Sequence, residues 1–334
     1  MTRYSTYGAM AVTMAVAFSG CLAQNSAPAT GSFMEQPSTL VTPTGTIYGT
    51  LELPTGIWKT VPVVLIIAGS GPTDRNGNSK ALPGQNNSLK YLADGLASHG
   101  IASLRYDKRA IGESSAAAAK EEDLRFDMYV DDAAGWLRQL RADKRFTTVS
   151  VAGHSEGSLI GMIAARQAGA DGYISLEGAG RKPEVILVEQ LSPQLPPAMM
   201  TTTKHLLDLI SAGAPPDTTT VPPVLMSLFR PSVRPYMVSW FKYDPAVEIS
   251  KLTIPALIVQ GTTDIQTSMT DAKALAAGYP AARFLAIEGM NHVLKNAPPG
   301  RAEQMPIYSD PSIPVVPKLI DEMSSFVNGL KRKS

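Results

Sequence analysis

Residues 149–161 read VSVAGHSEGSLIG and set Ser155 between two glycines, where a strand-forming run gives way to a helix-forming one. An exposed nucleophile needs this arrangement. The strand delivers the chain, a sharp turn lifts the serine hydroxyl clear of the sheet, and Gly153 and Gly157 let backbone approach backbone. A helix that starts just after the serine also favours developing negative charge. The pentapeptide Gly-x-Ser-x-Gly is common, and taken alone it is equally a tight strand–helix turn with an inert serine. The strand before it and the helix after it favour the nucleophile.

A serine hydroxyl at its free pKa is a weak nucleophile and needs a base. The sequence offers four histidines. His154 lies inside the elbow, with its side chain expected to point away from the nucleophile. His99 falls at a helix end and reads as a capping residue. His205 lies in a Pro- and Met-rich stretch and reads as packed or solvent-facing. His292, in LAIEGMNHVL, follows the last strand on the same edge of the sheet as the serine turn, and is the expected base. Asp264, just past the penultimate strand in IPALIVQGTTDIQTS, is the expected group to orient the imidazole and stabilise its cation. Glu177, in YISLEG, is its rival because it too follows a strand. The competing reading of Asp264 is a turn aspartate bonded to its own backbone.

Acyl transfer also needs donors for a tetrahedral oxyanion. The backbone N–H of Glu156, next to the serine, is one. The other is expected in the loop IIAGSGPTDRNGN, from the Ser70 amide with Gly71 next. A glycine-rich loop can instead cradle phosphate, but neither GxxxxGK[ST] nor a GxGxxG opening a helix is present, which argues against nucleotide binding. Glu156 and Arg109 would either bring charge to the mouth of the site or pair at the surface. Asp74 and Arg75 read as turn residues.

The elements that must position these groups alternate. Residues 39–56 read as an edge strand pair, and residues 61–68 as a strand covered on both faces. Helix 88–100, strand IASLRYD, helix 123–141, strand TTVSVAG, helix 158–169 and strand DGYISLEG follow, the first two helices with apolar residues at helical spacing. IPALIVQG, DAKALAAG, ARFLAIEG and a helix near residues 315–330 complete the series. Strands alternating with helices predict an α/β fold with a mostly parallel sheet flanked by helices. The rhythm breaks at residues 181–242, which read as a small helical insertion. Core segments 31–180 and 243–334 flank it. Among its apolar residues, Met199, Met200, Leu206, Leu207, Met226, Phe229, Met237, Trp240 and Phe241, about a third are expected to line a pocket and the rest to form the insertion's own core.

Hydrophobic residues make up 44% and charged residues 18%, a balance that builds a sizeable core. The net charge of +1 gives no ground for a nucleic-acid partner. The single cysteine, Cys21, excludes an intramolecular disulfide framework and a zinc site built on several thiolates. Residues 1–30 carry Arg3, a short apolar run and small residues before a polar stretch, the order of an export signal. Phe18-Ser19-Gly20-Cys21 resembles a bacterial lipobox, departing from it at Phe18. It makes Cys21 a lipidation candidate and membrane attachment an expectation, with plain cleavage after Ala23 as the alternative. The expected location is the bacterial periplasm or a membrane-anchored lipoprotein, with secretion as the alternative.

AGSGPTDRNGN, LRYDKRAIGES, GHSEG, YDPAVEISKLTIPALIVQGTTDIQ and EGMNHVLKNAP together resemble the α/β-hydrolase superfamily, and within it bacterial esterases of the EstD-like, serine aminopeptidase-like (S33-type) group. The resemblance covers most of the chain after about residue 40 apart from the insertion. It implies an α/β-hydrolase fold, a Ser155–Asp264–His292 triad, hydrolysis of a small-molecule ester, no cofactor or metal, and an insertion that serves as a lid. In DKRAIGES, Ala110 stands where the family often has glycine, which predicts a less demanding local turn. An aminopeptidase or amidase, a thioesterase and a lactonase share the same triad. A non-catalytic binding lipoprotein is a remote alternative that the intact Ser/Asp/His set argues against. Dehalogenases and epoxide hydrolases need aspartate where Ser155 stands.

Overall fold

A computed structural model describes residues 33–56, 60–214 and 221–332. The export signal and Cys21 lie outside the described residues. Strands β1 (Phe33–Thr42) and β2 (Gly45–Pro54) form a hairpin, and β3 (Val61–Ile67) follows. Next come α1 (Ser88–Ser98), β4 (Ala102–Tyr106), α2 (Phe126–Ala142), β5 (Phe146–His154), α3 (Glu156–Ala168) and β6 (Gly172–Leu176). Five helices then intervene: α4 (Pro183–Leu191), α5 (Pro197–Ser211), α6 (Met226–Phe229), α7 (Arg234–Trp240) and α8 (Pro245–Ser250). The chain returns through β7 (Ala256–Gly261), α9 (Met269–Gly278), β8 (Arg283–Ile287), α10 (Arg301–Gln304) and α11 (Pro317–Asn328).

The eight strands form one sheet in the order β1-β2-β4-β3-β5-β6-β7-β8. β1 pairs antiparallel with β2 and β2 antiparallel with β4, while every pair from β4 to β8 is parallel. The hairpin lies at the sheet edge as expected, but β1 starts at Phe33, ahead of the expected 39–56 stretch. β3, β5 and β6 sit in the middle and are buried on both faces; β3 is near-continuously apolar, while β5 and β6 also bury small polar residues such as Ser150 and Ser175.

Helices cover the two faces with separate apolar layers. Leu92 and Leu96 of α1 and Leu319, Met323 and Val327 of α11 pack against Val64, Ile66 and Val259. Phe126, Val130, Ala133 and Leu137 of α2 and Ile160 and Ile163 of α3 pack against Val63, Leu65 and Val151 on the other side. Leu206, Leu207, Ile210, Phe229, Met237 and Phe241 make a third cluster within the stretch between β6 and β7. Among the described residues, no helix is long and apolar enough to cross a membrane.

The loop after β4 departs from expectation. Ala110 does not mark an easier turn, because it adopts φ 68, the left-handed conformation that a glycine would take without strain. Its amide donates to Ser114 O at 3.1 Å, and Gly112, two residues on, has φ 51. The turn keeps its shape and the side chain bears the strain, which for an L-residue is about 1–2 kcal/mol. Ala110→Gly is expected to raise stability by roughly 0.5–1 kcal/mol, after allowing for the greater freedom of glycine in the unfolded chain. Denaturant unfolding reads this directly, and a destabilised variant would show the turn to be unstrained.

Candidate active site

Ser155 stands between β5 and α3 with φ 56 and ψ −121, outside the regions that residues with a Cβ usually occupy. Its N–H donates to Leu176 O at 2.9 Å. A Cβ on Gly153 would lie 2.0 Å from Gly157 O, and one on Gly157 would lie 2.5 Å from Ile67 O. The two glycines therefore let the start of α3 rest directly on the ends of β3 and β5, and the serine is pushed out where the chain reverses.

Asp264 and His292 lie on loops that follow β7 and β8. These loops are tied together by Thr262 N–H to Ile287 O at 3.0 Å and Thr263 N–H to Met290 O at 3.2 Å. Nδ1 of His292 is 2.7 Å from Oδ2 of Asp264, and the Asp264 side chain is fully buried. Its Oδ1 accepts the N–H groups of Gln266 at 2.7 Å and Thr267 at 3.1 Å, and Oδ2 also accepts the Thr267 hydroxyl at 2.8 Å. The turn-aspartate reading and the histidine-orienting reading are thus both realised, one on each oxygen. Burial acts to raise the pKa of Asp264, but the charge and hydrogen bond of His292 outweigh it and the value falls to about 2.

Glu177, the rival acid, makes no hydrogen bond to His292 among the described residues. Its Oε1 accepts Gly261 N–H at 2.8 Å and its Oε2 accepts from the Gln260 amide. Burial, followed by repulsion from Asp264, pushes its pKa well above the usual carboxylate range. It packs behind Asp264 rather than against the imidazole.

His154 packs against His292 with ring centroids 4.8 Å apart, and its Nε2 donates to His292 O at 2.7 Å. The histidine next to the nucleophile therefore braces the backbone of the distant one. His99 caps α1, with Nδ1 3.0 Å from Gly95 O, and His205 is exposed on α5.

Ser155, Glu156 and Ser70 line one cleft with Leu159, Ala179, Pro183, Ile186, Leu187, Gln190, Trp240, Pro245 and Thr267; its volume is about 40 Å³. Gly71, with φ 69, does not line it. Of the nine apolar residues singled out in the insertion, only Trp240 reaches the cleft, fewer than the expected third. The cleft-facing residues of α4 were missed, because PEVILVEQL is apolar on most sides and its spacing does not single out a face. The surface-pair reading of Glu156 and Arg109 is also corrected. Both are buried, Glu156 against Lys108 at 3.0 Å and Arg109 against Asp132 at 2.8 Å. Asp74 does hold a turn, accepting the N–H groups of Asn76 and Asn78 at 2.9 Å each, while Arg75 reaches Asp107 at 2.7 Å.

The brace has a pH signature. Burial, with repulsion from His292 second, lowers the His154 pKa from 6.5 to about 3. Below pH 6.5 the unfolded chain binds a proton here that the folded chain refuses, so stability is lost as the pH falls toward 3, on the order of 5 kcal/mol in full. His154→Gln is expected to flatten the acid limb of the stability profile in denaturant titrations between about pH 4 and 6.5. An unchanged slope would contradict the assignment.

Residues 85–212 match the family described as serine aminopeptidase, S33. The chain is 25% identical over 284 residues to esterase EstD of Thermotoga maritima; the match covers 84% of this chain and 65% of that protein, so the chain spans just under two thirds of the relative's length. Among solved structures, Est1E of Butyrivibrio proteoclasticus with ferulic acid bound superposes with a TM-score of 0.54 at 20% identity, over 74% of this chain and 88% of that one. A thermophilic esterase of Thermogutta terrifontis superposes with a TM-score of 0.52 at 16% identity, over 88% and 98% of the two chains. The solved structures speak for the fold. With the sheet order, the serine elbow and these matches, the chain has the α/β-hydrolase fold and is similar to the S33-type, EstD-like group.

Proposed function

We propose that this protein is a serine carboxylic-ester hydrolase acting through an acyl-enzyme, with Ser155 as nucleophile, His292 as base and Asp264 as the orienting acid. The observation that carries the reading is the 2.7 Å pair between His292 Nδ1 and a fully buried, ionised Asp264 on the loops beside the strained Ser155 elbow. An Nδ1–H held by Asp264 leaves Nε2 as the basic nitrogen. It takes the Ser155 proton as the oxygen attacks the ester carbonyl, then returns it to the departing alcohol. Water activated by the same nitrogen releases the acid. The Ser70 amide and the Glu156 amide receive the oxyanion. Among the described residues no protein acceptor takes the Ser70 N–H, and Glu156 opens α3, where first-turn amides have no helical partner.

The cleft sets the expected substrate. Leu159, Ile186, Leu187 and Trp240 give it an apolar wall, and about 40 Å³ is far below the several hundred that enclose a drug-sized ligand. Short acyl groups enter with small adjustments, whereas medium-chain or aromatic groups require α4 and α7 to shift, which is the lid role. The similarity to EstD, which is named an esterase, supports this chemistry.

Turnover of p-nitrophenyl esters of increasing acyl length, beside amide and thioester analogues, tests the reading. Short-chain esters are expected to be the best substrates. Ser155→Ala and His292→Ala are each expected to lower kcat by roughly 10⁴-fold or more, and Asp264→Asn by roughly 10³–10⁴-fold. Preference for the amide would move the protein to another hydrolase class. Full activity in Asp264→Asn with loss in Glu177→Gln would overturn the choice of acid.

A further inference from the structure

Both oxyanion donors are backbone groups, and one side chain grips the two segments that carry them. Lys108 follows β4 and is 1% exposed. Its Nζ donates to Gly69 O at 2.6 Å and to Glu156 Oε2 at 3.0 Å, and it lies 5.1 Å from the centre of the Tyr129 ring. The other carboxylate oxygen of Glu156 accepts the Tyr236 hydroxyl of α7 at 2.6 Å. The reaction as written uses none of these side chains.

The Gly69 carbonyl and the Ser70 N–H belong to the same peptide unit. A trans peptide is planar, so its C=O and N–H point in opposite directions, and no cis peptide occurs among the described residues. A cation fixed on the carbonyl therefore fixes the direction of the N–H, and by polarising the amide it makes that N–H a stronger donor. Gly69 packs against Ser155 and His154, and the Thr73 hydroxyl donates to Ser70 O at 2.8 Å, but beyond Gly69 the loop is open: Ser70 is exposed, and a Cβ on Gly71 would meet nothing within 4 Å.

We infer that Lys108 is the positioning residue of the oxyanion hole, aiming the Ser70 amide through Gly69 O and holding the Glu156 segment through its carboxylate, with Tyr236 tying α7 to the same anchor. The inference rests on the serine-hydrolase reading and adds to it a side chain that never touches substrate. Tyr236 makes the hole answerable to α7, so a shift of the helices over the cleft is felt at the donors.

A buried Lys–Glu pair that only helps the loop fold would lower the amount of competent enzyme. A positioning residue lowers the rate at each competent serine and leaves ground-state binding alone. Saturation kinetics of fluorophosphonate inactivation, counted per reactive serine, separate the two, because phosphonylation also builds charge on an oxygen in the hole. Lys108→Met is expected to lower the limiting inactivation rate by roughly 10–100-fold with the half-saturation concentration little changed. Affinity for an aryl boronic acid, which forms a tetrahedral adduct, should fall in step. Lys108→Gln keeps an N–H donor and should fall between Lys108→Met and the parent, and it carries the test if Lys108→Met does not fold. Parental rates in either folded variant, or a change confined to half-saturation, would overturn the inference while leaving the hydrolase reading intact. An unreactive parent chain would remove that reading and this inference with it.

Discussion

The approach of the start of α3 to the ends of β3 and β5 is the contact on which the rest of the structure depends. At Gly153 and Gly157 it leaves no space for a methyl group. Because the helix begins so close to the sheet, the residue between must turn through an unfavourable backbone conformation, and Ser155 does. The same geometry directs the free amides of the first turn toward the cleft edge. The strain is local, and the parallel sheet and two apolar layers that bury β5 and α3 hold it in place.

Around this contact the loops at the carboxyl edge are held by buried and half-buried charges satisfied in fixed pairs. Arg109 grips Asp132, Arg75 grips Asp107, and Lys108 joins Gly69 to Glu156. Charge taken out of water needs a partner and directed hydrogen bonds, so such pairs fix geometry more than they add stability. On the other side of the elbow the device is a neutral ring: His154, kept unprotonated by burial, holds the backbone of His292. The pKa values of Asp264 and Glu177 are pushed apart, one lowered by its histidine and the other raised by burial.

Much of this was legible in the sequence. The parallel strands were readable because short apolar-rich runs alternate with helices of amphipathic spacing, and the hairpin because its residues alternate. The serine turn was readable because only glycine fits beside it, and Asp264 and His292 because both follow strands on the productive edge. The lining of the cleft was not readable. Helix α4 is apolar on most sides, so sequence spacing could not say which face met the serine, and the Met-rich segments drew attention to residues that pack on one another. Nor was the role of Lys108. In DKRAIGES it looks like one more charge on a surface turn, and only the fold brings residues 69, 108, 156 and 236 to one point. Ala110 misled for a related reason: a missing glycine signals an easier turn only if nothing else enforces the backbone, and here the turn is enforced.

The central claim is that Ser155 is an activated nucleophile. Incubation of the folded protein with a fluorophosphonate, followed by peptide mass spectrometry, measures this directly. The account predicts one adduct per chain, on the peptide that contains GHSEG and on Ser155, absent from Ser155→Ala and strongly slowed in His292→Ala. Folded protein that stays unmodified, or an adduct on another residue, would contradict it.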